Sequence, residues 1–192
     1  RYEAADDRYY STDLSAQKLR EFVADAVGHD RPFFAYWNPY APHIDRRGEP
    51  PAPADRHFGL FADLAPWRPP RWNETDASDK PAWVRSSPIA GLSRALETDL
   101  IRQRGYESLL SVDEQVGVIL VQLVSLGVER DTAIFFTSDN GASWGEHRRF
   151  GGKKGCPYEE CQRVPMIVHY PSRIPPGTVV EDSAVLNIDL AP

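Results

Sequence analysis

The chain has 192 residues, a length that fits one domain or part of a larger one. Hydrophobic residues make up 41% of it and aromatic residues 11%, which suits a globular core and excludes a disordered chain. The net charge of −6, with acidic and basic residues interspersed, excludes the basic footprint of a nucleic-acid-binding protein. An anionic substrate would therefore need a local cluster of cations or a metal ion, because the overall field opposes it.

The two ends of the sequence and its cysteines set further expectations. No apolar run approaches the length of a membrane span, and the N-terminus at Arg1 lacks signal-peptide character. The chain stops at Pro192 within what reads as an element, so we expect both ends to be truncated. Cys156 and Cys161 lie in one loop and match no zinc spacing. They form either a short disulfide or two free thiols, and free thiols are the expectation.

The first half of the chain predicts one helix, one strand and a long connection. Apolar residues recur at helical spacing from Leu14 to Val27, with caps offered by Ser11-Thr12-Asp13 and a stop near Gly28. Residues 32–37 read as a strand opened by a proline. A polar, proline-rich connection follows over about 39–88, and such long connections are functional or disordered.

The second half predicts a helix followed by two strands. Helical character begins around Ser93, and Leu109, Val112, Val116, Ile119, Leu120 and Leu123 form an apolar stripe that ends near Gly127. Residues 132–137 are β-branched and aromatic, which predicts a strand buried on both faces of a sheet. A polar loop over 139–163 leads to another strand at 164–170. The order of elements predicts an α/β layer architecture with parallel pairing.

An acid and an amide follow the buried strand directly. Asp139 and Asn140 would project into the crevice at the carboxyl end of an α/β sheet, where ligands bind. Both offer hard oxygen donors suited to Ca²⁺ or Mg²⁺. The alternative is an Asp-Asn-Gly turn stabilised by local side-chain bonds to the backbone.

Several motifs in one order together resemble the sulfatase family of the alkaline-phosphatase-like superfamily. They span nearly the whole chain, and the Gly-Glu-His-Arg loop is similar to that of arylsulfatase-like and N-acetylglucosamine-6-sulfatase-like members. The motifs are the Pro-Phe-Phe strand at 32–34, Ala-Pro-His at 41–43, Val-Asp-x-x-Val-Gly-x-Ile-Leu at 112–120, Thr-Ser-Asp-Asn-Gly at 137–141, Gly-Glu-His-Arg at 145–148, Pro-Tyr-Glu-Glu at 157–160, Arg-Val-Pro at 163–165 and Asp-Leu-Ala-Pro at 189–192.

The resemblance implies a fold and a reaction. The fold would be an alkaline-phosphatase-like sandwich with a mostly parallel central sheet flanked by helices, of which residues 1–192 are the C-terminal part. The reaction would be hydrolysis of an aryl or carbohydrate sulfate ester in a periplasmic, secreted or lysosomal enzyme. A phosphonate or phosphate-ester hydrolase of the same superfamily, or an inactive truncated chain, is the alternative.

The resemblance also assigns roles to residues of this chain. Asp139 and Asn140 would supply two ligands to Ca²⁺, with Mg²⁺ as the alternative; zinc-binding relatives have a histidine where Asn140 stands. His43 would hydrogen-bond the sulfate and act as general acid on the leaving oxygen. Lys154 would contact the ester oxygens, with Lys153 as the alternate register. His147 either binds substrate or caps its loop.

One part of the family pattern is absent from the sequence. Sulfatases make a formylglycine nucleophile from a Cys/Ser-x-Pro-x-Arg motif, and neither cysteine fits it, since Pro157 directly follows Cys156. Asp6-Asp7 precede the first helix, the wrong context for the paired metal-binding aspartates. We therefore expect the nucleophile outside this chain, which alone should not turn over substrate.

The remaining histidines, one arginine and the tryptophans of the connection have blander interpretations. His29, His57 and His169 are predicted to be structural, and Arg163 to be an ion-pair partner. The tryptophans at 67, 72 and 83 form either a wall that binds a sugar or aryl group, or aromatic packing beneath a loop.

Overall fold

The computed structural model describes residues 9–190 of the chain, so Asp6 and Asp7 lie outside the described residues. Four α-helices and two strands occur in this part. The helices are α1 (Ser11–Gly28), α2 (Ala82–Arg85), α3 (Leu92–Ser125) and α4 (Glu159–Gln162), and the strands are β1 (Ile134–Thr137) and β2 (Met166–His169). Short 3-10 turns lie at Asp55–His57, Glu129–Asp131 and Asn187–Leu190.

Helices α1 and α3 pack against each other, and both confirm the predicted helical segments. Helix α1 ends at Gly28, as predicted, but the N-cap position is Tyr10, which makes no side-chain cap bond. The helices are joined by Gln115 Nε2, which donates to the carboxylate of Asp13 at 3.0 Å, and by Gln122 Nε2, which donates to the carbonyl of Arg20 at 3.0 Å.

Helix α3, with 34 residues, is the longest helix of the described part, and α1 packs against it. Of its predicted apolar stripe, Val112 and Leu123 are buried and the other four members are half-buried. Three valines outside the stripe are exposed: Val118, Val121 and Val124. The sequence predicts no apolar run of membrane-spanning length. Helix α3 is nonetheless long and apolar enough to cross a membrane, with a mean hydropathy of 1.3 over 18 residues. This indication is weak, because the core helix of a packed domain meets the same test.

The sheet differs from the prediction in three ways. β1 and β2 pair antiparallel, with Phe135 opposite Val168, so the predicted parallel pairing is wrong for these strands. Phe135 and Phe136 are 54% and 42% exposed, so β1 is not buried on both faces, because no further layer covers it in the described part. Residues 32–37 form no strand and have no ladder partner among residues 9–190.

The long connection over 39–88 is ordered and anchored on α3. The imidazole of buried His57 lies 3.0 Å from the Ser111 hydroxyl and 2.8 Å from the Glu114 carboxylate. Further along, Arg68 pairs with Asp99 of α3 at 2.6 Å. These contacts fix the connection above α3 and bring its residues toward the loop that follows β1.

Candidate active site

The four residues to which the sequence assigns catalytic and metal-binding roles lie together. Nε2 of His43 lies 3.3 Å from Nζ of Lys154. Lys154 in turn lines a cavity of about 440 Å³ together with Asp139 and Asn140. The rest of the lining comes from Gly155, Cys161, Gln162, Val164, Val185, Leu186 and Asn187. We call this space the Lys154 cavity.

The loop after β1 and the segment of α4 approach closely to build this cavity. The backbone N–H of Gly141 donates to the carbonyl of Cys161 at 3.0 Å. A Cβ atom at position 141 would lie 2.2 Å from the carbonyl oxygen of Glu160, so only glycine allows this approach. The close contact places Asn140 and Gln162 in one lining.

Lys154 is held in place by the backbone around it. Lys153 and Ser143 exchange two backbone hydrogen bonds, of 2.8 and 3.1 Å, and the guanidinium of Arg149 donates to the carbonyl of Lys154 at 2.8 Å. Lys153 does not line the cavity. The geometry therefore favours the Lys154 register over the Lys153 alternative.

Cys156 and Cys161 form a disulfide, so the expectation of free thiols is wrong. Spacing alone could not decide between the two states. The bridge closes the loop that follows Lys154, and Nε2 of Gln162 also crosses this loop to the carbonyl of Cys156. Both cysteines are buried, and Cys161 lines the Lys154 cavity.

His147 lies apart from this cavity, in a buried cluster of its own. Its ring stacks on Tyr158 with centroids 3.9 Å apart, and Nδ1 lies 3.0 Å from a carboxylate oxygen of Glu74. Nε2 lies 3.9 Å from a carboxylate oxygen of Glu160. This placement favours the loop-capping interpretation of His147 over contact with substrate.

The other histidines and Arg163 have the structural placements expected of them. His29, the C-cap residue of α1, contacts the carbonyl of Asp25 through Nδ1. His169 contacts Glu129 at 2.7 Å. His57 is buried against α3, which the sequence did not indicate. Arg163 pairs with Glu159 at 3.8 Å and is largely exposed.

Sequence reasoning missed one polar residue that organises the cavity. Nδ2 of Asn187 donates to the carbonyl of Ser138 at 3.0 Å and approaches the carbonyl of Asp139 at 3.4 Å. Asn187 thus ties the chain after β2 to the end of β1. It lies two residues before the Asp-Leu-Ala-Pro motif, which was the signal that could have drawn attention to it.

The donor set of the cavity suits a hard cation in part. Nδ2 of Asn140 donates to the carbonyl of Gly141 at 3.0 Å, which leaves its Oδ1 available as a ligand. The carboxylate of Asp139 has no hydrogen-bond or ion-pair partner within residues 9–190. One carboxylate and one amide oxygen are ligands that Ca²⁺ accepts, although it takes six to eight in all. Within residues 9–190, no group of three or more His, Cys, Asp or Glu side chains could hold a metal ion.

A cavity lined by an ammonium and two hard oxygen donors, with an imidazole in contact with the ammonium, is typical of an enzyme that acts on an oxyanion ester. A family model described as Sulfatase matches residues 2–192. The chain belongs to the sulfatase family.

Named relatives agree with this assignment. The chain is 34% identical over 202 residues to an arylsulfatase of Volvox carteri, covering 96% of this chain and 31% of the relative. It is 43% identical over 86 residues to an N-acetylglucosamine-6-O-sulfatase of Bacteroides thetaiotaomicron, covering 44% of this chain and 15% of the relative. The chain spans about a third of the length of the first curated relatives it matches.

A solved structure supports the fold. The protein yidJ of Bacteroides fragilis, assigned to the sulfatases, superimposes with a TM-score of 0.61 at 28% identity. The match covers 87% of this chain and 32% of that one. The chain therefore has the α/β fold of the alkaline-phosphatase-like sulfatases, of which the described part contains a two-stranded sheet.

Proposed function

We propose that the full-length protein hydrolyses sulfate esters of an aryl or carbohydrate alcohol. The observation that carries this proposal is that Lys154, Asp139 and Asn140 line one cavity and that His43 contacts Lys154. His43 lies on one loop and the other three residues on another, up to 111 positions away. Their meeting is what the transfer of a charged sulfuryl group requires, since that reaction depends on positioned charge around the group.

Lys154 would stabilise negative charge on the ester. Its ammonium carries three N–H donors, one of which points to Nε2 of His43 in the resting arrangement. The other two remain for an incoming anion. As the S–O bond to the alcohol breaks, charge builds on the bridging oxygen, and a fixed ammonium beside it lowers the barrier.

His43 would protonate the departing alcohol. Its Nδ1 lies 2.7 Å from the carbonyl of Ile44, which fixes Nδ1 as the protonated nitrogen of the neutral ring. Nε2 is then the nitrogen that takes up a proton from solvent, which gives the imidazolium, and donates it to the alcohol oxygen as the S–O bond breaks. The proton on Nδ1 stays on the ring throughout, because Nδ1 donates it to the Ile44 carbonyl in a hydrogen bond.

Asp139 and Asn140 would hold a divalent cation, Ca²⁺ in preference to Mg²⁺. When bound, this cation supplies positive charge against the sulfate oxygens. The neutral amide of Asn140 favours a hard cation over zinc, which prefers imidazole and thiolate ligands. Further ligands, and the formylglycine nucleophile that the family uses, would come from outside this chain.

The finer architecture belongs to the same proposal. We infer that β1 and β2 lie in the mostly parallel sandwich of a complete catalytic domain, with residues 1–192 as its C-terminal part. The similarity to yidJ over 87% of this chain supports this placement. So do the exposed rings of Phe135 and Phe136, which a further layer would bury.

The test compares 4-nitrophenyl sulfate with 4-nitrophenyl phosphate as substrates of the full-length protein with its modified nucleophile and Ca²⁺. Sulfate release well above phosphate release is the expected result. Faster release of phosphate would reassign the protein to phosphoryl transfer. Release of neither, from these esters and from sulfated sugars, would overturn the proposal.

A further inference from the structure

A second cavity, of about 220 Å³, lies beside the Lys154 cavity. Its lining includes Trp67, for which the sequence allowed either contact with a ligand or packing beneath a loop. The residues that line it are Trp67, Arg102, Tyr106, Ala142, Trp144, Glu146 and Glu160. We call it the Trp67 cavity. Its volume is below the roughly 300 Å³ of the smaller drug-sized pockets, so it suits one small ring.

The same two chain segments build both cavities. Asn140 lines the Lys154 cavity, and Ala142 lines the Trp67 cavity two residues later. On the facing segment Glu160 lines the Trp67 cavity, and Cys161 lines the Lys154 cavity. The hydrogen bond from Gly141 to Cys161 holds these segments together. A ligand anchored by its sulfate at Lys154 would therefore extend toward Trp67.

The Trp67 cavity offers aromatic faces with fixed orientation. The indole N–H of Trp67 donates to the carboxylate of Glu146, which holds the ring in place. The rings of Trp67 and Tyr106 are both partly exposed, at 45% and 41%. The guanidinium carbon of Arg102 lies 5.8 and 5.2 Å from these two ring centroids. Such rings present an apolar face that packs on the C–H face of a sugar.

The other two tryptophans of the connection do not share this role. Trp72 packs edge-on against Phe150 and under the guanidinium of Arg68. Trp83 lies next to Tyr158, with ring centroids 5.9 Å apart. Neither lines the Trp67 cavity. Among the three tryptophans of the connection, Trp67 is therefore the candidate for ligand contact, and Trp72 and Trp83 are packing residues.

Two carboxylates, of Glu146 and Glu160, and one guanidinium, of Arg102, line the Trp67 cavity. Glu146 is 2% exposed and accepts hydrogen bonds from neutral donors only: the Trp67 indole, the Ser143 hydroxyl at 3.1 Å and the Trp144 backbone at 2.6 Å. Glu160 adds a second carboxylate, paired with Arg71 at 2.8 Å. A sulfate or uronate here would face two carboxylates against the single lining cation Arg102, whereas the hydroxyls of a neutral sugar can donate to the carboxylates and accept from Arg102.

From these observations we infer that the Trp67 cavity binds a neutral sugar ring adjoining the sulfated ring of a carbohydrate substrate. This inference rests on the proposed sulfatase function and names carbohydrate, over simple aryl sulfates, as the substrate class. Trp67 and Tyr106 supply the stacking surface, and Glu146 and Glu160 accept hydrogen bonds from the sugar hydroxyls.

The kinetic test uses the full-length enzyme with three substrates: 4-nitrophenyl sulfate, a sulfated monosaccharide, and its disaccharide extended by a neutral hexose. For Trp67→Ala, the ratio of the KM for the disaccharide to the KM for 4-nitrophenyl sulfate should rise about tenfold, the cost of one lost aromatic contact. Tyr106→Ala should raise it in the same direction without removing a donor from Glu146. Trp83→Ala, a tryptophan of similar exposure (40%), is the matched control and should leave the ratio at its wild-type value.

Two kinetic outcomes would overturn the inference. One is an unchanged ratio in both Trp67→Ala and Tyr106→Ala. The other is a wild-type preference for a disaccharide whose second ring carries a sulfate or uronate over the neutral one.

A binding measurement separates failure of this inference from failure of the proposed function. Tryptophan fluorescence of the full-length protein is titrated with unsulfated glucose, galactose and N-acetylglucosamine. Saturable quenching that is lost in Trp67→Ala and kept in Trp83→Ala would support the cavity even if no sulfate ester were hydrolysed. Absence of binding by all three sugars in an enzyme that does hydrolyse sulfate esters would overturn the inference and leave the proposed function intact.

Discussion

Nε2 of His43 and Nζ of Lys154 lie 3.3 Å apart across 111 positions of sequence. Because Nδ1 of the same ring contacts the carbonyl of Ile44, Nε2 is the nitrogen that faces the ammonium. The pair orients both groups before any substrate arrives. An anion entering the Lys154 cavity therefore meets donors whose positions are already set, which reduces the cost of ordering them.

The first prediction concerns the two adjacent lysines. We expect Lys154→Ala to lower kcat for 4-nitrophenyl sulfate by about 10²–10³, the usual loss when one donor to a developing oxyanion is removed. Lys153→Ala is the matched control, since its backbone pairs with Ser143 and its side chain does not line the cavity. Equal losses in the two variants would show that the register is misassigned.

The second prediction concerns the cation. Asp139→Asn keeps the shape of the side chain and removes its charge, so the Ca²⁺ concentration needed for half-maximal activity should rise at least about tenfold. Thermal unfolding with and without added Ca²⁺ gives an independent measurement. Asp182→Asn, an exposed aspartate that does not line the cavity, serves as the control. An unchanged calcium requirement in Asp139→Asn would remove this residue from the metal site.

The third prediction concerns acid stability. Burial raises the pKa of Glu114, but hydrogen bonds from Arg56 and His57 outweigh it and hold the pKa below the ordinary 4.5. The resulting stabilisation is present above about pH 4.5 and is lost as the pH falls through the lower folded-state pKa.

Glu114→Gln should therefore lower the free energy of unfolding near neutral pH, by about 1 kcal/mol at most, because the carboxylate is half-exposed and screened. The difference from wild type should shrink as the pH falls below 4.5. Urea denaturation at pH 7 and at pH 3.5 measures both effects, with Glu181→Gln as an exposed control. A difference that grows in acid would contradict the assigned direction of the pKa shift.

The fourth prediction uses two glycines with opposite surroundings. Gly141→Ala would place Cβ 2.2 Å from the Glu160 carbonyl oxygen and should cost about 1–3 kcal/mol through backbone displacement. Gly117→Ala meets no atom within 4 Å on the exposed side of α3 and should stabilise by about 0.5–1 kcal/mol through helix propensity. Chemical denaturation of both variants gives the comparison. If both substitutions proved stabilising, the close approach of the two segments would be wrong.

Local signals explain what the sequence predicted well. The helices at α1 and α3 follow from apolar spacing and a terminal glycine, which are properties of neighbouring residues. The gathering of His43, Asp139, Asn140 and Lys154 followed from motif order. Their roles as acid, metal ligands and cation stay predictions.

Non-local pairing explains what the sequence did not predict. Whether β1 pairs parallel or antiparallel depends on β2, which lies about 30 residues later. The apolar side chains of β2 suit either direction. The state of Cys156 and Cys161 depends on how the intervening loop turns. Asn187 and Glu160 reach their cavities through tertiary contacts that no local pattern encodes. The same holds for Trp67, which differs from Trp72 and Trp83 in its side-chain contact with Glu146 and in lining the Trp67 cavity.

The bridge between Cys156 and Cys161 has a practical consequence for handling this protein. Thiol reductants or synthesis in a reducing cytosol would open the loop next to the key ammonium group. Preparations made that way would then mix tethered and untethered forms, and measured turnover would vary between batches. Expression in an oxidising compartment, with the number of free thiols counted for each batch, keeps the population uniform.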